Sequence, residues 1–324
     1  MIEQLDAGAV AELQELLSRL RNAPLAHLVH VTPPQARAYW LDEIRRDLAD
    51  PSTAAWIARD GAEIGGLLLY IDASWDSKVV GEKVGNLRHF GEASGGETLD
   101  ELLETALQHA RGRGVRCLTC KVQASEIDTI HSLEKHGFLL MDSLLDFVFD
   151  FSSRSAEGKT TAPVESGAMI RIAEPGDIAG VVVVAEKAFG HYFGRYQADP
   201  NVSHEAAANF YREWVQFSFQ GWADWILVAE IKRQIVGFGI WKKASELEAR
   251  HLLGVAHYNL AGIHPDFSGR GLYSALAVDG MHRAQQFARH LIGPVHVRNY
   301  PVHRALFRLG WKTRAARHSF HKWL

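Results

Sequence analysis

Apolar positions recur in the same order on either side of one polar stretch. In the first half, Ala54 to Ala58 and Ile64 to Ile71 are runs of strand character flanking Arg59-Asp60-Gly61, which predicts a hairpin. A further strand is expected near Val84 to Phe90. Leu99, Leu102, Leu103, Ala106 and Leu107 then share one face at helical spacing. A strand from Val115 to Val122, a short helix and a closing strand from Phe138 to Phe151 follow. The second half repeats this order. Trp225 to Ile231 and Ile235 to Trp241 form a hairpin, His257 to Ile263 a strand, and a helix begins near Gly271. Leu291 to Val297, another short helix and a closing strand from Trp311 to Trp323 complete it.

Between the halves, residues 152–167 (SSRSAEGKTTAPVESG) are rich in Ser, Thr, Gly and Pro and read as a linker. The spacing from Gly96 to Gly269 is 173 residues, and so is that from Gly137 to Gly310. Leu99/Leu272, Leu103/Leu276, His109/His282 and Leu133/Leu306 keep this register. An insertion would shift it, so the constant offset implies two copies of one fold. The expected organisation is residues 1–151, linker 152–167 and residues 168–324.

Composition narrows the function classes. With 324 residues, 47% hydrophobic and 23% charged, the chain has ample core and is not intrinsically disordered. Its formal charge of −3 gives no broad field for nucleic acid or anionic membrane, and neither is expected as a partner. The N-terminus carries acidic residues throughout and lacks the pattern of a signal peptide, and no stretch of about 20 apolar residues follows. A cytoplasmic location is therefore expected. Cys117 and Cys120 form a CxxC inside a strand pattern, where residues three apart face opposite ways, so both read as structural. Composition leaves the oligomeric state open.

The sharpest local signal runs from Leu260 to Leu276, LAGIHPDFSGRGLYSAL. A strand ends at Ile263, a turn passes through Pro265 and Gly269, and a helix with apolar Leu272, Ala275, Leu276 and Met281 begins near Gly271. Free backbone N–H groups at that helix start, beside Arg270, suit a pyrophosphate. Taken alone, the loop fits a plain glycine-rich strand-to-helix turn equally well. The elements around it decide: an antiparallel meander before, then strand HVRN, helix YPVHRALFRLG and a long final strand. This order resembles the GNAT (GCN5-related N-acetyltransferase) superfamily over about residues 169–324. Within it, Ala188-Phe189, the run Asn209 to Val215 and the ending Ser319 to Trp323 are similar to the bacterial dTDP-fucosamine acetyltransferase group. Trp75 to Gly81 resembles that group's N-terminal portion.

The resemblance implies an α/β (α+β) fold of tandem GNAT-like domains, each a mixed, mostly antiparallel sheet flanked by helices. It also implies acetyl-CoA or another acyl-CoA as cosubstrate, with its pantetheine arm between splayed strands. The expected contacts are Ala261, Gly262 and Ile263, the stretch Ser268, Gly269, Arg270, Gly271, Leu272, Tyr273 and Ser274, and Asn299, where the family often has a pantetheine-binding asparagine. Two departures stand out. The family's loop begins with Gln or Arg and ends with Gly or Ala, where this chain has Ser268 and Tyr273. The tyrosine that many members use to protonate the leaving thiolate falls at Leu306, which has no proton to give. In the first copy, the 173-residue offset puts Glu97 and Thr98 where Arg270 and Gly271 stand, so a degenerate domain is expected there.

Acyl transfer to an amine needs the amine to lose a proton, which a side-chain base helps without being obligatory, a carbonyl polarised as charge develops, and a route for the thiolate to leave. A backbone N–H near Asn259 to Ala261 supplies the second. By alternation His257, Asn259 and Ala261 share one face and Tyr258 and Leu260 the other, making His257 the candidate base. Glu246 and Glu248 are alternatives to it. Tyr300 and His303, beside Asn299, are the candidate acids, with departure of the thiolate without any acid as the alternative. Phe189, Tyr192, Arg195 and Tyr196 are expected to bind the acceptor, whereas Tyr211, Trp214, Phe217 and Phe219 fit a helix core face. His318 and His321 lie three apart on a strand, with no third ligand pattern, and no metal is expected.

The expected function is acyl transfer, most simply acetyl transfer, from acyl-CoA to a small-molecule amine by direct attack in a ternary complex. A nucleotide-linked amino sugar is the specific candidate. Another acyl donor or acceptor in natural-product assembly, or a non-catalytic CoA- or ligand-binding module, are the alternatives.

Overall fold

The computed structural model describes residues 1–93, 97–153, 167–190 and 192–324, with the side chains of Ala7 and Glu97 left undescribed. Gly96 and most of the expected linker lie outside those residues. The chain divides into two compact units, one of Met1–Ser143 with Ala315–Leu324, the other of Leu144–Arg314. These bounds differ from the division at 152–167 read from the sequence. Each copy's closing strand changes unit part-way, because strand pairing, not chain order, decides where a β-segment belongs.

In the first unit, helices α1 (Leu13–Arg19), α2 (Pro33–Leu48), α3 (Ser74–Val80), α4 (Glu97–Gly112) and α5 (Ile127–Lys135) accompany strands β1 (Ile2–Gln4), β2 (Ala54–Asp60), β3 (Glu63–Asp72), β4 (Val84–Glu92) and β5 (Cys117–Gln123). The sheet order is β1-β2-β3-β4-β5, with β4 and β5 parallel and the other pairs antiparallel. Residues Arg317–Trp323 complete it by pairing antiparallel with β5. One face packs α4, through Leu99, Leu102, Leu103 and Ala106, against Trp56, Leu68, Tyr70 and Leu118. The other packs Leu13, Leu17, Trp40 and Ile44 of α1 and α2 against Ala55, Ile57, Leu67 and Leu69. Strand alternation puts neighbouring residues in different cores.

The second unit holds part of β6 (Leu139–Asp150), then β7 (Ala168–Ile172), α6 (Ile178–Phe189), α7 (Arg195–Ala198), α8 (His204–Phe217), β8 (Trp225–Ile231), β9 (Gln234–Lys243) and α9 (Glu246–Arg250). After these come β10 (Val255–Ile263), α10 (Leu272–Ala284), β11 (His290–His296), α11 (Tyr300–Arg308) and the first residues of β12 (Lys312–Trp323). Its sheet runs β6-β11-β10-β9-β8-β7. Residues Leu144–Asp150 pair antiparallel with β11, and β10 is parallel to β11. The predicted hairpins form: β2 with β3, and β8 with β9.

The repeat is visible in register. Val84 pairs with Cys117 as Val255 pairs with His290. The copies are thus offset by 171 residues on the fourth strand and 173 on the fifth, so the segment joining those strands is two residues longer in the second copy. Among the described residues, no helix is long and apolar enough to cross a membrane.

Candidate active site

The site begins with a parting of strands. β10 pairs with β11 only from Val255 to His257, opposite His290 to Ile292. Beyond that, β10 continues to pair with β9 and β11 with β6, and the two inner strands separate. At the same place β10 carries a bulge: Tyr258 lies opposite Trp241 and Leu260 opposite Ile240, which leaves Asn259 without a partner in register. A bulge reverses the alternation beyond it. Ala256 and Tyr258 pack beneath α10, Leu260 packs under α6 and α8, and Ala261 and Ile263 return to the α10 side. Ala261 therefore shares the face of Tyr258 and not that of His257, which corrects the expected alternation. The Asn259 Nδ2 is buried with no hydrogen-bond partner.

The strand leads into a loop with two left-handed residues, Gly269 (φ 79°) and Gly271 (φ 78°), which only glycine adopts without strain. The first carbonyl bond of α10 runs from Ala275 N–H to Gly271 O at 3.0 Å. The N–H groups of Leu272, Tyr273 and Ser274 thus precede the helix's own ladder. A cavity of about 490 Å³ opens between the strands. Ala261, Gly262 and Ile263 line it, with Ser268, Gly269, the stretch Gly271 to Ser274, and Asn299; Phe189 and Tyr192 face them. Asn299 also caps α11, its Oδ1 accepting the Val302 N–H at 3.4 Å. Most of the residues expected to hold acyl-CoA are thereby brought together.

His296, Arg298 and Arg308 line the same cavity and were missed by sequence reasoning, because no motif marks them. Tyr192 sets its ring edge-on to His296, with centroids 5.7 Å apart, and Arg298 lies over the Phe193 ring at 4.1 Å.

His257 is not on the cavity wall. Its Nε2 lies 3.0 Å from Oε1 of Glu248, which is 6% exposed and held by α9. Burial pushes the Glu248 carboxyl upward, but the His257 ring and the Ser245 N–H and hydroxyl outweigh it, so the carboxyl stays below its ordinary range. A carboxylate there makes Nε2 the protonated nitrogen and leaves Nδ1 free to accept.

No family model matches the chain. Over 266 residues it is 24% identical to the spore coat polysaccharide biosynthesis protein SpsD of Bacillus subtilis strain 168, covering 82% of this chain and 86% of that one. A GCN5-related N-acetyltransferase from Sphaerobacter thermophilus superposes with a TM-score of 0.67 at 14% identity, covering 100% of this chain and 95% of that one. A tandem GNAT protein from the clavulanic acid biosynthesis pathway gives 0.60 at 13% identity, covering 100% and 98%. The chain carries the GNAT fold in two copies.

Several residues expected at the GNAT cleft stand elsewhere. Arg270 is exposed; its guanidinium folds back to donate to Asp266 O at 2.8 Å and lies over the Phe267 ring. Tyr300 is 61% exposed and off the cavity wall. His303 is buried against Phe147, with its Nε2 3.0 Å from the His296 carbonyl. Burial lowers the His303 imidazole pKa, the backbone bond opposing it, so the ring is a neutral donor already in use. Tyr196 is 2% exposed and packs on Phe210, with the Arg195 guanidinium over its ring at 4.5 Å. Neither lines the cavity. Tyr211 belongs to the helix core, stacked on Phe189 at 4.1 Å.

The first GNAT copy fills its own helix terminus. Glu92 pairs with Gly66 as Ile263 pairs with Gly237, and its Oε2 accepts the Leu99 N–H of α4 at 3.0 Å. An internal carboxylate thus occupies a backbone donor that the second copy leaves open. The side chain of Glu97 lies outside the described residues.

Proposed function

We propose that the second unit is an acyl-CoA-dependent N-acyltransferase acting on a small amine, with a nucleotide-linked amino sugar as acceptor and acetyl-CoA as the simplest donor. The observation that carries this reading is the parting of β10 and β11 around a cavity that also receives the unpaired N–H groups of α10. Pyrophosphate suits the helix terminus, and an extended pantetheine suits a gap edged by unpaired strand backbone. The amino-sugar assignment is supported by the resemblance to the dTDP-fucosamine group and by a relative named for polysaccharide biosynthesis.

Both reactants held in one cleft avoid the entropy of a bimolecular encounter, worth up to about 7–11 kcal/mol. The unpaired backbone at the Asn259 bulge polarises the thioester carbonyl. His257, off the cavity wall, takes the amine proton on Nδ1 through water, and Glu248 stabilises the cation formed. The first unit, its helix terminus closed by Glu92, takes no donor of its own. The reaction belongs in the cytoplasm, where acyl-CoA is supplied.

Isothermal titration of the full chain with acetyl-CoA should give one site per chain, and nucleotide-linked amino sugars should then release free thiol. No binding of any acyl-CoA rejects the reading. Binding without thiol release, across sugars with the amine at different ring positions, leaves a CoA-binding module.

A further inference from the structure

A thiolate leaves a thioester more readily when a proton reaches it, and the position that supplies one in many GNAT proteins holds Leu306, which is 1% exposed in the apolar core. The cavity wall offers another hydroxyl. Tyr273 sits in the first turn of α10 and lines the cavity from the α10 side, while Tyr192 lines it from the other. The two are near enough for their charges to couple.

Beneath Tyr273 lies Tyr258, the last residue before the Asn259 bulge, with ring centroids 6.1 Å apart. Tyr258 is clamped: its ring stacks on Trp241 at 3.9 Å and 4°, and Trp241 stacks on Trp225. Its hydroxyl is buried without a well-formed hydrogen bond, as is Trp241 Nε1, and both atoms lie close to Gly239. The Tyr258 and Tyr273 hydroxyls, carried on these neighbouring rings, are near enough to interact. A Tyr258 O–H directed at Tyr273 Oη turns the Tyr273 proton outward, to the cavity.

We propose that Tyr273 is the donor to the departing sulfur and that Tyr258 is the positioning residue that aims it. Burial pushes both hydroxyls well above the ordinary tyrosine range, so both hold their protons at neutral pH. In the step, the amine nitrogen bonds to the carbonyl carbon and the C–S bond breaks with its electron pair on sulfur. The Tyr273 proton passes to sulfur, giving CoA thiol. The nitrogen's proton leaves to the base, and solvent in the open cleft reprotonates Tyr273, so the net products are amide and thiol.

The inference rests on the acyltransferase reading, and its test separates the two without an acceptor. CoA and desulfo-CoA, which lacks the sulfur, are titrated against the full-length protein, Tyr273→Phe and Tyr258→Phe. A donor to sulfur should make the wild type prefer CoA by about fivefold, the range of one net hydrogen bond. Tyr273→Phe should erase that preference, and Tyr258→Phe should reduce it. An undiminished preference in Tyr273→Phe, or none in a wild type that binds both, overturns the role of Tyr273 alone. If the wild type binds neither, the acyltransferase reading falls, and this one with it. Should Tyr273→Phe fail to fold, an unchanged preference in Tyr258→Phe overturns the pairing and a reduced one supports it.

Discussion

His257 and Glu248 are nine residues apart, yet their side chains meet at 3.0 Å because α9 folds back beside β10. A histidine whose second nitrogen is held by a buried carboxylate has its tautomer chosen for it. With His257 as base, His257→Ala should lower kcat about 100-fold with the acetyl-CoA KM unchanged. Glu248→Gln should cost about tenfold, and the double variant His257→Ala with Glu248→Gln little more than His257→Ala alone, since coupled residues do not add. Steady-state thiol release measures this cycle; additive losses would separate the two residues. His257 was legible as a candidate from residue type and strand position. Its pairing with Glu248 over Glu246 was not, because both lie in one short helix and only the fold decides which one it buries.

At the scale of elements, the sequence carried the order of strands and helices well, since apolar spacing reports which face each element buries. It failed at the Asn259 bulge, where one unpaired residue reversed the alternation and put Ala261 with Tyr258. Nothing in the composition of Tyr-Asn-Leu announces a bulge. It also misplaced Tyr300, His303 and Tyr196, whose polar atoms suggested chemistry but whose helical phase turns them away from the cleft. The seating of α10 on the sheet depends on Gly280: a Cβ there would lie 2.0 Å from Trp241 Cζ2. Gly280→Ala should therefore destabilise the second unit by roughly 1–3 kcal/mol, the cost of overpacking. It should also weaken acetyl-CoA binding by displacing the helix start. Thermal melting with and without acetyl-CoA tests both; an unchanged melting temperature would mean the ring moves aside freely.

For the whole molecule, the chain order of the copies and their packing disagree. Residues 144–150 supply the strand that pairs with β11, and residues 317–323 the one that pairs with β5. Cutting at the apparent linker therefore strips each unit of a strand. A fragment spanning 144–314 should melt cooperatively by circular dichroism and at a higher temperature than one spanning 168–324, although the two are of similar length. Equal melting would mean that the β6 pairing contributes nothing to the second unit.

The sequence by itself determined two copies of one fold and the glycine-turned loop before α10, because apolar period and positive-φ glycines act locally and leave local marks. The division of the closing strands, the Glu92 carboxylate on α4, the bulge at Asn259 and the meeting of Tyr258 with Tyr273 were decided only in the tertiary structure. Each depends on which segments lie side by side, and residues far apart in sequence carry no local record of that.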